Sequence, residues 1–188
     1  MSGALPNIEI EHKFLIDNQF DKEVLFSALI RQQPERIASA QVSETYFITQ
    51  STPKIIYRHR YDEKNQDLTY KTFGAGDIEV RQEVRLALAA GNQVELVRAF
   101  LAPLGIRWVG ELTKALDVFE FADCEVVYYV ARTEDKVITC VEFEALGIES
   151  VESARATLRR YEEQFGFADK VRCRRSLFEI LFQDKIRS

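Results

Sequence analysis

Ile8-Glu9-Ile10-Glu11-His12-Lys13-Phe14-Leu15-Ile16 alternates charged and apolar residues with a period of two. On a strand successive side chains point to opposite faces, so Glu9, Glu11 and Lys13 share one face while Ile8, Ile10 and Phe14 share the other. Carboxylates that close together are awkward unless a divalent cation, or a cation linked to phosphate, lies between them.

The same alternation recurs along the chain. Residues 79–88 set Glu79, Arg81, Glu83 and Arg85 against Val80, Val84, Leu86 and Leu88; Glu142 and Glu144 oppose Val141 and Phe143; Arg58 and Arg60 oppose Tyr57, His59 and Tyr61. Strands are predicted over 8–16, 43–49, 54–62, 67–73, 79–88, 108–120, 122–131 and 137–145. Short connections such as YDEKNQ, GAGD and RTEDK imply hairpins, hence a mainly antiparallel sheet. Gly74-Ala75-Gly76 reads as one such turn, not a phosphate loop.

Amphipathic helices are predicted after Asp21 (Val24, Leu25, Ala28, Leu29), from Asn92 (Val94 to Leu104), from Ser150 (Val151 to Phe165) and around Leu177, Ile180 and Leu181. Their apolar stripes need a surface, and the apolar face of the sheet is the only one large enough. The charged face then points away from the helices. About eight strands can curl that face into the interior of a barrel with room for side chains or one small ligand. The expected fold is therefore α+β, an eight-stranded antiparallel β-barrel or tunnel with a charged lumen and helices packed outside, formed by one domain spanning 1–188.

Composition narrows the function. With 188 residues and a net charge of −5 the chain suits one core, and it offers no basic surface for nucleic acid or anionic membrane. Cys124, Cys140 and Cys173 have no metal-type spacing and read as reduced thiols of a cytoplasmic protein. MSGALPN does not read as a signal peptide, and no apolar run is long enough to span a membrane. No Ser/His/Asp or Cys/His set suggests a nucleophile, and His12 and His59 fall on the faces opposite the charged ones.

The expected lumen holds the acids Glu9, Glu11, Glu79, Glu83, Glu142 and Glu144, and the bases Lys13, Arg58, Arg60, Lys71, Arg81, Arg85 and Lys114. So many ion pairs contribute little to stability, whereas a polyanion bound through metal ions gives every group a role. Acids would hold the cations while Arg and Lys grip phosphate oxygens.

These residues resemble the CYTH, or triphosphate tunnel metalloenzyme, superfamily. Glu9-x-Glu11-x-Lys13 is similar to its N-terminal hallmark; ETYF (44–47), Arg58-x-Arg60, LTYK ending at Lys71, Arg81-x-Glu83, the Glu142-x-Glu144 of VEFE and RRSLFEIL (174–181) follow in the family's order. The resemblance implies Mg²⁺ or Mn²⁺ on Glu9, Glu11, Glu83, Glu142 and Glu144. It implies phosphates on Lys13, Arg58, Arg60, Lys71, Arg81, Lys114 and Arg175, with Lys13, Arg58, Arg60 and Arg81 serving catalysis. Leu116 stands where the family has a second basic residue after Lys114, Leu177 where it has Tyr, and the acid before Glu142 has three candidates: Glu120, Asp123 and Glu125.

Three activities follow from the resemblance: a metal-dependent triphosphatase acting on inorganic, nucleoside or thiamine triphosphate; a class IV-type adenylyl cyclase; and a non-catalytic nucleotide or polyphosphate binder. The expected partner is a triphosphate-containing small molecule, and the sequence leaves a homodimer open.

Overall fold

The structure, a computed structural model, describes residues 7–50, 55–62, 64–72, 79–91 and 93–186. The turn expected at Gly74-Ala75-Gly76 lies outside them. Eight strands, β1 (Ile8–Ile16), β2 (Arg36–Thr49), β3 (Ile55–Tyr61), β4 (Gln66–Thr72), β5 (Val80–Ala87), β6 (Ile106–Glu120), β7 (Cys124–Arg132) and β8 (Val137–Ala145), close into a barrel in the order β1-β5-β4-β3-β2-β6-β7-β8. Every neighbouring pair is antiparallel. Four helices pack on it: α1 (Lys22–Arg31), α2 (Val94–Leu101), α3 (Val151–Gln164) and α4 (Leu177–Ile186). None of the described helices is long and apolar enough to cross a membrane.

Local chemistry sets the helix ends. The Asp21 carboxylate accepts from the Glu23 and Val24 amides ahead of α1. Ser150 and Ser153 cap α3 reciprocally. Before α4, the Ser176 hydroxyl accepts from the Glu179 amide while the Glu179 carboxylate accepts from Ser176. α2 runs into a short 3₁₀ turn and stops at Gly105, whose φ of 69° favours glycine.

Three apolar clusters hold these parts together. Ile10, Phe14 and Phe143 on the outer barrel face pack with Leu25 and Leu29 of α1 and Ala154 and Leu158 of α3. Phe47 and Leu68 pack with Val97 and Leu101 of α2. The third cluster differs. Leu177, Phe178, Leu181 and Phe182 of α4 pack on Tyr46, Leu112, Val118, Val127 and Tyr129, whose side chains face the interior. Trp108 crosses Phe178 and Phe182 edge to face, and it lies so close over Gly110 that a Cβ there would meet the indole.

Two expectations change. β2 begins at Arg36, seven residues before the expected start at 43, because each residue from Arg36 onward pairs with the long β6 although the segment is mostly exposed. The lumen is charged along only part of its wall: β6 and β7 turn Leu112, Leu116, Val118 and Val127 inward, which is the surface that receives α4.

Candidate active site

Strand register brings the charged residues together. Lys13 lies opposite Glu142 and Glu11 opposite Glu144 across β1–β8; Glu9 faces Arg81 across β1–β5; Lys71 faces Glu83 across β4–β5; Glu44 faces Arg60 across β2–β3. The result is an interior ion network. Lys13 Nζ sits 3.1 Å from Glu11 and 3.0 Å from Glu142. Lys71 Nζ lies 2.9 Å from Glu9 and 2.5 Å from Glu83. Arg81 bridges Glu9 and Glu11, and Arg60 grips Glu44 at 2.6 Å. A cavity of about 340 Å³ opens among them, lined by Glu9, Glu11, Lys13, Arg58, Arg60, Lys71, Arg81, Lys114, Glu142 and Glu144.

Electrostatics separates satisfied groups from unsatisfied ones. Burial alone would raise Glu11, but Lys13 and then Arg81 outweigh it and hold the carboxyl well below its usual range. Burial also opposes ionisation of Glu83, yet Lys71 and Arg58 bring it down to about 2. Burial would strip the proton from Lys13, but Glu11 and Glu142 keep it firmly cationic.

Two groups are left over, and they have opposite signs. Glu144 makes no ion pair or hydrogen bond among the described residues; burial, then Glu9, Glu11 and Glu125, push it well above the ordinary carboxyl range. Lys114, 6% exposed, has no carboxylate partner either; its Nζ rests 3.6 Å from the centre of the Tyr129 ring. Burial lowers its pKa despite Glu142 and Glu44. Arg58 is nearly as open: its Nε is buried without a partner, and its nearest carboxylate, Glu83, is 3.6 Å away.

Among the described residues, no three His, Cys, Asp or Glu side chains close on one point as a metal cage. The donor chemistry nonetheless fits a hard cation. Glu9, Glu11 and Glu125 all act on Glu144, and carboxylate oxygens are the natural ligands of Mg²⁺ or Mn²⁺. Glu83 and Glu142 fit less well, since Lys71, Arg58 and Arg85 occupy the first, and Lys13 and the Tyr129 hydroxyl (2.7 Å) the second.

One residue that the resemblance sets on phosphate and one expected in the lumen lie elsewhere. Arg175, expected on phosphate, is exposed and folds back along α4 onto the Glu179 carbonyl and the Gln183 side chain, because it lies in the turn that caps the helix. Glu79 sits beyond the last β1–β5 pair and turns to the outer face, toward Arg172 and His12. On that outer face His12 also meets Glu162, with its Nδ1 2.5 Å from the carboxylate. Of the three acids weighed before Glu142, Asp123 pairs with Arg160 and Tyr161, Glu120 pairs with Arg36, and Glu125 lines the cavity.

Sequence reading missed Glu44, Tyr46 and Tyr129. The first two follow from β2 parity, since Glu44 and Tyr46 lie on one face and the Tyr46 hydroxyl donates to Glu44 at 2.6 Å. Tyr129 had no such signal, because β7 is apolar on both faces.

Neither a family model nor a curated protein matches the sequence. Solved structures do. A conserved hypothetical protein from Pyrococcus furiosus aligns at a TM-score of 0.71 with 22% identity, over 92% of this chain and 99% of that one. HpAC1 from Hippeastrum, described as a candidate adenylyl cyclase with a dominant triphosphatase activity, aligns at 0.67 with 13% identity, over 94% and 96%. The RNA triphosphatase domain of a mimivirus mRNA capping enzyme aligns at 0.54 with 12% identity, over 86% and 90%. At these identities the likeness is one of fold.

Proposed function

We propose that the barrel interior binds a triphosphate and hydrolyses it with the help of Mg²⁺ or Mn²⁺. The observation that carries this reading is the pair of unpaired ionisable groups facing one cavity: a buried ammonium without an acid, Lys114, and a half-buried carboxyl without a base, Glu144. A triphosphate with its divalent cation satisfies both at once. The similarity to proteins named as triphosphatases points the same way.

In this reading Glu9, Glu11 and Glu144 would hold the cation, which when bound neutralises phosphate charge and polarises water. Lys114 and Arg58, having the least competition from acids, grip phosphate oxygens first. Arg60, Lys71 and Arg81 are shared between their glutamates and the substrate. Lys13 keeps its proton between Glu11 and Glu142, so it orients water or donates to a phosphoryl oxygen and does not act as the base. Glu83 and Glu142 position Lys71, Arg58 and Lys13. Buried arginines such as Arg58 and Arg81 stabilise charge on the transferring phosphoryl group.

Phosphate release from inorganic triphosphate, ATP and thiamine triphosphate, each with Mg²⁺ or Mn²⁺, tests the proposal. Release no greater than that of a Glu9→Ala control ends it. HpAC1's description as a candidate cyclase keeps a second reading open, in which the 3′ hydroxyl of ATP attacks the α-phosphorus. Cyclic AMP and pyrophosphate among the products, instead of ADP and phosphate, would establish that one.

A further inference from the structure

We infer that the preferred substrate is a triphosphate ester carrying an apolar organic group, alkyl or aromatic, and not free inorganic triphosphate. The inference rests on the triphosphate reading and adds to it the nature of what the phosphates carry. In the ring order of eight strands, β6 lies across the barrel from β5, and β7 across from β4. The cations Arg81, Arg85 and Lys71 therefore look across the cavity at Leu116, Val118 and Val127. Ile56 and Leu177 extend the apolar surface around the same space. Leu116 packs at the margin of the cluster that α4 completes, yet it stays partly exposed, toward a cavity that it lines.

An inorganic polyphosphate gains nothing from such a wall and loses hydration against it. An apolar substituent covers it and is itself removed from water. The unpaired ammonium stands at the junction. Lys114, Leu116 and Val118 follow one another on the inward face of β6, at steps of roughly 7 Å for two residues of strand. A phosphate on Lys114 thus places its ester substituent beside Leu116 and Val118.

The test is calorimetry on the full chain with Mg²⁺, comparing hexyl triphosphate with inorganic triphosphate. We expect the ester to bind about tenfold more tightly or better. Leu116→Ser should bring the two ligands to near parity, while Leu116→Met, which keeps the apolar volume, should preserve the preference and guards against a folding defect. Equal binding of the two ligands, or a preference that survives Leu116→Ser, overturns the inference while leaving the triphosphate site standing, provided that inorganic triphosphate still binds in a Lys114-dependent way. Failure of both ligands to bind overturns the site and the inference together.

Discussion

The two sides of the barrel interior solve the problem of buried charge in opposite ways. On β1, β3, β4 and β5 nearly every cation is held by a glutamate that strand register sets beside it, as Arg81 is by Glu9 and Glu11. On β6 and β7 the wall is mostly apolar, Glu125 apart, and its one inward cation, Lys114, rests on an aromatic ring. Arg58 apart, the first side is largely paired without a ligand, so its charges are part of the structure. The second holds a cation that no carboxylate among the described residues pairs. Removing a cation should therefore cost stability on one side and affinity alone on the other.

The largest expected effect comes from breaking the paired side. Arg81→Leu leaves Glu9 and Glu11 buried with one cationic partner fewer each, and should destabilise the fold by about 3–5 kcal/mol. Urea denaturation measures the loss, and turnover should fall with it. A variant as stable as the parent would show that the network contributes no more than surface ion pairs do.

Lys114→Met sharpens the contrast. No carboxylate loses its partner, and burial already disfavours this ammonium, so stability should hold or rise. Triphosphate affinity should fall about 10–100-fold, in line with about 1.5–3 kcal/mol for a charged hydrogen bond. Titration calorimetry alongside denaturation separates the two quantities; a large stability loss with unchanged affinity would reverse the assignment.

Glu144 is the exception on the acidic side, and pH exposes it. Its carboxyl holds a proton more tightly in the fold than in the unfolded chain, so stability falls as pH rises from the ordinary carboxyl range through its raised value. Glu144→Gln cannot ionise and should stabilise the metal-free protein at neutral pH by about 1 kcal/mol, or roughly 2–4 °C in Tm. Glu9 is also raised, by burial, so part of the decline will remain. Glu83 works in the other direction: lowered to about 2, it contributes stability above its ordinary value of 4.5 that is lost on acidification toward 2. Melting curves between pH 3 and 9 resolve both trends, and a Glu144→Gln curve that tracks the parent would remove Glu144 from the unbalanced pair.

How much of this was legible in the sequence also divides between the two sides. The charged positions of β1, β3, β5 and β8 could be placed because polarity alternates along most of their length, Gln82 of β5 being an exception, so the inward face announces itself. β6 and β7 carry apolar side chains on both faces, with Leu116 and Val118 inward and Phe119 outward, and that alternation vanishes. Nor could helical spacing say on which side of the barrel α4 would bury Leu177 and Leu181. The segment Arg36 to Gln41 is rich in Ala and Ser and becomes strand only through pairing with β6, a long-range contact that no local propensity reports. Element ends misled for a related reason. Glu79 keeps the parity of Arg81 in sequence, but parity lapses once the ladder stops.

Arg175 gives the smallest effect and the sharpest check on that lesson. Motif order places it on phosphate, whereas the fold turns it outward onto the Glu179 carbonyl (2.7 Å) and the Gln183 side chain (3.1 Å). Both contacts are exposed, so losing them should cost no more than about 0.5 kcal/mol. Arg175→Ala should accordingly change triphosphate affinity less than about twofold, against the 10–100-fold expected at Lys114. A loss at Arg175 comparable to that at Lys114 would mean that the turn before α4 reorganises when the ligand binds. The apolar side would then be mobile where the paired side is rigid, and charge balance alone would no longer account for the difference between them.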